Sequence, residues 1–297
     1  MLASELTALH ARVRHLEIRV RRRVASTFAG AYRSVFKGAG LEFDEVRQYS
    51  YGDDIRLIDW NVTARNTHDV YVKVFREERQ LSVWVLLDVS ASQQFGVGAA
   101  RKARAATDLT ALIGLSAQAN GDRFGLIAFS DAIEWVSRPS QNRKHLLAAL
   151  ARLLSQPFRS KQTSLKTALE FARRVQRRRS VVFIISDFLD QGYQRALIQL
   201  ARKHEVNCIR LYHPDETRIG RLGMVPIEAL ESGQTHWLAS GRLGLGPALA
   251  QGFAQHGERL AQLCTRYGMH YLALDTTQDP VLGLEQDFLK RKRMRYG

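Results

Sequence analysis

The sequence predicts an α/β protein built on a doubly wound, mostly parallel sheet, and three observations carry that expectation. Two runs, Leu81 to Asp88 and Ser180 to Asp187, are apolar almost throughout yet short, as suits strands buried on both faces of a parallel sheet. Between and beyond them, strand-like and helix-like stretches alternate, the pattern of a sheet covered by helices on both faces. The composition, 45% hydrophobic over 297 residues with only 6 prolines, leaves ample material for a core and excludes a disordered chain.

In residues 1 to 37, Leu2, Leu6, Leu9, Val13, Leu16, Val20 and Val24 recur at alternating steps of three and four. This makes one apolar stripe of an amphipathic helix, followed by a linker. Arg12, Arg19, Arg22 and Arg23 face elsewhere. The stripe is expected to pack on its own protein, the alternative being a docking arm for a partner helix or a membrane surface. Gly38 and Gly40 end the pattern, and residues 38 to 80 read as a small β-containing element closing on the alternating Val70 to Phe75. There Gly52 permits a tight turn, Asp53, Asp54 and Asp59 are expected to receive Arg47, Arg56 and Arg65, and Trp60 to anchor the element.

Residues 81 to 297 hold the main domain. After the first buried strand come a helix over Arg101 to Asn120, a strand over Arg123 to Phe129, and helices over His145 to Leu154 and Leu165 to Arg177. The second buried strand is followed by a helix over Gln194 to His204 and a strand over Val206 to Tyr212. A less regular stretch with Pro214 and Pro226 leads to a helix over Leu245 to Tyr267, a strand over Met269 to Leu274 and a short helix over Gln286 to Arg293.

No apolar stretch approaches the ~20 residues needed to cross a bilayer, and the N-terminus lacks the apolar core of a secretory signal. A cytoplasmic location is expected, with peripheral contact to anionic membrane left open. Cys208 and Cys264 have no near neighbour in the text of the kind a zinc site or redox pair needs, and read as buried small hydrophobes. The formal charge of +15 is concentrated between Arg138 and Arg179, where twelve basic residues face the single acid Glu170. Such a field favours an acidic protein surface, a nucleic acid backbone or anionic lipid as neighbour.

The first buried strand ends in Asp88-Val89-Ser90-Ala91-Ser92 and the second in Asp187, at the strand ends where open α/β sheets bind ligands. An acid with two alternate hydroxyls offers only oxygen, which suits a hard cation such as Mg²⁺. Thr163, just before a helix, adds a third hydroxyl or serves as that helix's N-cap. This set resembles the metal-ion-dependent adhesion site of von Willebrand factor A domains, a Rossmann-type fold. The resemblance implies a divalent ion, Mg²⁺ or another hard cation such as Mn²⁺ or Ca²⁺, held directly by Ser90, Ser92 and Thr163. It implies that Asp88 and Asp187 act mostly through water, and that a partner's carboxylate fills the remaining place.

Upstream, Gly38 to Phe43, Arg47-Gln48-Tyr49, Gly52 to Arg56, Ile58-Asp59-Trp60 and Ala64-Arg65 resemble the signature of the bacterial family called domain of unknown function 58. The likeness spans nearly the whole chain. Gln93 departs from the methionine of many members, at a position that touches no proposed ligand in the sequence reading. The family resemblance implies a MoxR-type AAA+ ATPase as partner and an unknown client protein offering an acidic residue to the metal. The expected function is therefore a non-enzymatic, metal-dependent interaction module, an adaptor or chaperone-like partner.

The alternatives are a Mg²⁺-dependent phosphotransfer enzyme and a nucleic-acid-binding protein using the basic face over 138 to 179. The first would want a lysine or second carboxylate beside Asp88, where the text has Val89. The second would want interleaved aromatics, and only Phe158 and Phe171 fall in the basic stretch. The hydrolase elbow, the zinc-protease helix motif and the phosphate-binding loop are all absent from the text.

Overall fold

The structure, a computed structural model, describes residues 11, 13–14, 16–18, 20, 32, 35–36, 41–65, 69–77, 80–155, 162–217, 224–228, 235–239 and 245–296. Leu2, Leu6, Leu9, Val24, Arg12, Arg19, Arg22, Arg23, Gly38 and Gly40, with Phe158, Arg159 and Lys161 of the basic stretch, lie outside them. The chain forms two compact units, residues 36–81, and residues 1–35 together with 82–297.

In the smaller unit, β1 (Leu41–Gln48) pairs antiparallel with β2 (Tyr71–Glu77), with a bulge between Phe43 and Glu45. Arg47 grips Asp53 through two hydrogen bonds of 2.8 and 2.6 Å, as the sequence suggests. The other two acids serve the backbone instead. Asp54 caps the short turn Ile55–Leu57 by accepting from the Arg56 amide. Asp59 caps the helical turn Trp60–Thr63, accepting from the Asn61 and Val62 amides, and its ion-pair partner is Lys73. The expected pairs with Arg56 and Arg65 are replaced because a cap needs only a local donor. Trp60 is no anchor, being 69% exposed. Trp60→Ala should therefore shift unfolding free energy by no more than about 0.5 kcal/mol, as read by denaturant titration.

The larger unit carries a six-stranded sheet in the order β10-β7-β6-β3-β4-β5. Its strands are β3 (Ser82–Asp88), β4 (Arg123–Phe129), β5 (Ile133–Ser140), β6 (Val181–Ser186), β7 (Glu205–Tyr212) and β10 (His270–Asp275). All neighbours are parallel except β4 and β5. Its helices are α1 (Lys102–Ala119), α2 (Arg143–Ser155), α3 (Leu165–Val175), α4 (Gln194–Ala201), α5 (Leu245–Arg266) and α6 (Pro280–Tyr296). This is the expected doubly wound, von Willebrand factor A-like α/β architecture. Strands β3 and β6 are buried along nearly their whole length, since helices cover both faces. Trp84, Leu86, Val182 and Ile184 meet α3, α4 and α5 in one core. On the other face, α1 packs on α6.

Three elements depart from the expectation. The antiparallel edge strand β5 is unannounced in the sequence, as is the hairpin β8 (Met224–Glu228) with β9 (Thr235–Ala239). The last helix begins at Pro280, six residues before the expected start, with Asp279 accepting from the Val281 and Leu282 amides. Of the N-terminal stripe, Val13, Leu16 and Val20 are buried, and Glu17 between them accepts from the Arg143 guanidinium of α2. That segment packs on its own protein. Cys208 and Cys264 are both free and buried in one core, on β7 and α5, where the neighbouring Cys264 and burial raise the Cys208 thiol pKa. The sequence hides this because 55 residues lie between them.

Candidate metal centre

The chain leaves β3 on one side to form β4 and returns on the other side as β6. Where a parallel sheet reverses its winding, a crevice opens at the carboxyl ends of the strands. Asp88 ends β3, and Asp187 follows β6 directly. Both are buried, at 1% and 3% exposure.

An arc of oxygen atoms joins them. Asp88 Oδ1 accepts from the Ser90 amide at 3.0 Å, and Ser90 Oγ lies 3.1 Å from Ser92 Oγ. The Ser92 hydroxyl in turn helps lower the Asp187 pKa. Asp88 Oδ2 accepts from Ser186 Oγ at 2.6 Å, a contact the sequence reading missed. Thr163 lies half-buried in the loop ahead of α3, and its neighbours tie that loop to the sheet. The Ser164 amide donates to the Ser130 carbonyl at the end of β4, and the Leu165 amide to Asp190 beyond β6. The N-cap of α3 is Ser164 and not Thr163, so capping does not explain the threonine.

Asp187 is aimed by a strained neighbour. Phe188 has a φ of 59°, a left-handed conformation that costs a bulky residue about 1–3 kcal/mol. It is held there by complete burial, by its amide donating to Ser186 Oγ at 3.0 Å, and by its carbonyl accepting from His256 Nε2 at 2.7 Å.

Two further side chains enter the centre. Lys102, at the start of α1, is fully buried. Its Nζ lies 3.0 Å from Asp187 and 2.5 Å from Glu216. Gln93 is also buried, and its Nε2 reaches Asp88 Oδ2 at 3.4 Å and Ser92 Oγ at 3.5 Å. This corrects the expectation that Gln93 touches no proposed ligand: the single helical turn Ala91–Gln94 folds its side chain back over the strand end. Its Oε1 is buried without a hydrogen-bond partner.

Asp187 and Glu216 thus share the Lys102 ammonium, while Asp88 has no cationic partner among the described residues and is held by the Ser90 amide, Ser186 Oγ and Gln93 Nε2. Burial, with repulsion from Asp187, pushes the Asp88 carboxyl up to about 7. Burial acts on Asp187 in the same sense, but attraction to Lys102 and the hydrogen bonds from Lys102, Ser92 and the Leu189 amide outweigh it, and its pKa falls. Burial would discharge Lys102, yet Asp187 and Glu216 hold its pKa above the usual value.

The residues fit a hard divalent cation. Asp88, Asp187, Ser90 and Ser92 offer only oxygen, and Gln93 Oε1 is an orphaned acceptor beside them. Among the described residues no group of three His, Cys, Asp or Glu side chains is arranged around a metal position. A cation here depends on hydroxyls.

Fold and rim together define a von Willebrand factor A-like α/β protein with an oxygen-lined crevice at its switch point. The chain belongs to the family described as "Protein of unknown function DUF58", whose sequence model matches residues 45–259. An uncharacterized protein of Mycobacterium tuberculosis is 31% identical over 292 residues, spanning 96% of this chain and 90% of that one. Among solved structures, the conserved hypothetical protein BatB from Bacteroides thetaiotaomicron superposes with a TM-score of 0.45 at 16% identity, covering 72% of this chain and 99% of that one. Proximal thread matrix protein 1 from the mussel byssus, with a zinc-occupied adhesion motif, gives a TM-score of 0.39 at 16% identity, covering 71% and 48%.

Proposed function

We propose that this protein is a non-enzymatic interaction module. Its Asp88, Ser90, Ser92, Thr163 and Asp187 would hold Mg²⁺, or Mn²⁺ or Ca²⁺, and through it grip an acidic side chain of a client. The cation would supply an oxygen-seeking charge at the surface of the crevice. The observation that supports this most is the pair of buried carboxylates at the switch point, of which only Asp187 has a cationic partner, flanked by the Ser90 and Ser92 hydroxyls. The family resemblance adds a MoxR-type AAA+ ATPase as the partner with which such an adaptor would remodel its client.

The test is capture of a MoxR-type AAA+ ATPase from the same organism, with Mg²⁺ and with chelator. Asp88→Ala combined with Ser90→Ala should abolish the Mg²⁺-dependent recovery in a variant whose circular dichroism is unchanged. Equal recovery with and without chelator overturns the proposal.

One observation favours the second reading, phosphoryl transfer: the fold brings Lys102 and a second carboxylate into the site, although the text beside Asp88 lacks them. Against it, the Lys102 ammonium is wholly buried and already donates to two carboxylates. Metal-dependent hydrolysis of p-nitrophenyl phosphate, lost in Lys102→Met, would support this second reading. The basic face over 138 to 179 is exposed where described, but Arg143 is engaged by Glu17 and Arg152 lies 4.8 Å over the Trp135 ring.

A further inference from the structure

The geometry points to a second binding site, between β7, β10 and α5, that takes a small organic carboxylate. Its centre is Arg210, on β7 and 5% exposed. A buried guanidinium normally has a carboxylate against it, because removing a lone charge from water is costly. Arg210 has none among the described residues. One Nη donates to the Phe253 carbonyl at 3.2 Å, the guanidinium carbon stands 5.3 Å from the Phe253 ring, and Nε has no partner.

The helix above is shaped to admit this charge. A Cβ on Gly257 would lie 2.2 Å from the Arg210 Nη1, so any larger residue would displace the guanidinium. Glycine is unfavourable inside a helix relative to alanine, and room for Arg210 is what this glycine provides.

Beside Arg210 is a cavity of about 570 Å³, within the usual range for small-molecule sites. Its walls are Tyr212, Tyr271 and Phe253, and alanines at 254, 261 and 273 leave the space open. The occupant therefore has a flat or aliphatic body and an acidic head. One guanidinium balances a single negative charge, and the exposed Glu258 in the lining opposes a second. These charges select a carboxylate over a phosphate monoester. None of the residues lining the cavity is among the proposed metal ligands.

The experiment titrates the full chain with phenylacetate, indole-3-acetate and octanoate, each against its neutral alcohol, by calorimetry. At least one acid should bind saturably, and at least about tenfold more tightly than its alcohol. Arg210→Gln should remove that preference while the alcohol still binds. Should Arg210→Gln fail to fold, Ala254→Trp decides, because it fills the exposed mouth and leaves Arg210 in place: it should abolish binding of acid and alcohol alike. The inference is overturned if no acid binds saturably, if acids and alcohols bind equally, or if folded Arg210→Gln or Ala254→Trp binds as the wild type does. Phenyl phosphate binding as tightly as phenylacetate overturns the carboxylate assignment.

Discussion

Replacing Lys102 by methionine should cost about 3–5 kcal/mol of stability in chelator, because it strands Asp187 and Glu216 as buried carboxylates without their shared cation. The sheet itself would be little disturbed, since methionine fills nearly the same volume. Mg²⁺ should then return more stability to the variant than to the wild type, as the vacated charge raises the site's affinity for a cation. Thermal unfolding with and without Mg²⁺ reads both quantities. A variant as stable as the wild type in chelator would mean that the ion pair contributes nothing net. Equal Mg²⁺ shifts in the two proteins would mean that the cation does not bind beside Asp187.

Mg²⁺ should raise the melting temperature of the wild type more at pH 8 than at pH 5.5. The Asp88 carboxyl titrates at about 7 in the folded protein, against ~3.9 in an unfolded chain. Between those values the folded state carries the extra proton. Stability from this group is greatest below the unfolded value and falls as pH rises through about 7, by up to about 4 kcal/mol. A bound cation replaces that proton, so it competes poorly at low pH and binds freely above 7. At one hundred times its dissociation constant it adds about 2.7 kcal/mol, which for a chain of this size is roughly 4 °C. Asp88→Asn should abolish both the pH trend and the Mg²⁺ shift. A Mg²⁺ shift that is flat with pH would mean that Asp88 is not where the cation binds.

The parts of the fold that sequence discloses are those with one physical explanation. Strands β3 and β6 announce themselves because burial on both faces leaves no polar positions. Asp88, Ser90, Ser92 and Asp187 are legible because a strand end fixes their place. The edge strand β5 is not, because Ile133–Ser140 mixes Glu134, Arg138 and Pro139 with its apolar residues, as a half-exposed edge permits. Helix α6 carries its start signal in Asp279-Pro280, a cap followed by proline, but a proline also marks a loop, so the signal is ambiguous in the text.

Lys102 could not be found in this way. It follows Arg101 at a helix start and reads as a solvated charge; only the juxtaposition of α1 with the end of β6 makes it a counter-ion. Gln93 was dismissed for the same reason, since its contact runs back across a single turn. Trp60 misled in the other direction, because a large aromatic in a patterned segment suggests a core that this small unit does not give it.

The backbone at Phe188 bears on the neighbouring acid in one more way. A carboxylate on a free loop surrenders rotational freedom whenever it captures a partner, and that loss is deducted from affinity. Asp187 has already surrendered most of it. Its carboxylate is steered by a twist in the main chain that Phe188, sunk in the core, and His256, reaching across from α5, hold in place. Stiffness supplied by residues that never touch a ligand thus sets how little ordering remains when one arrives.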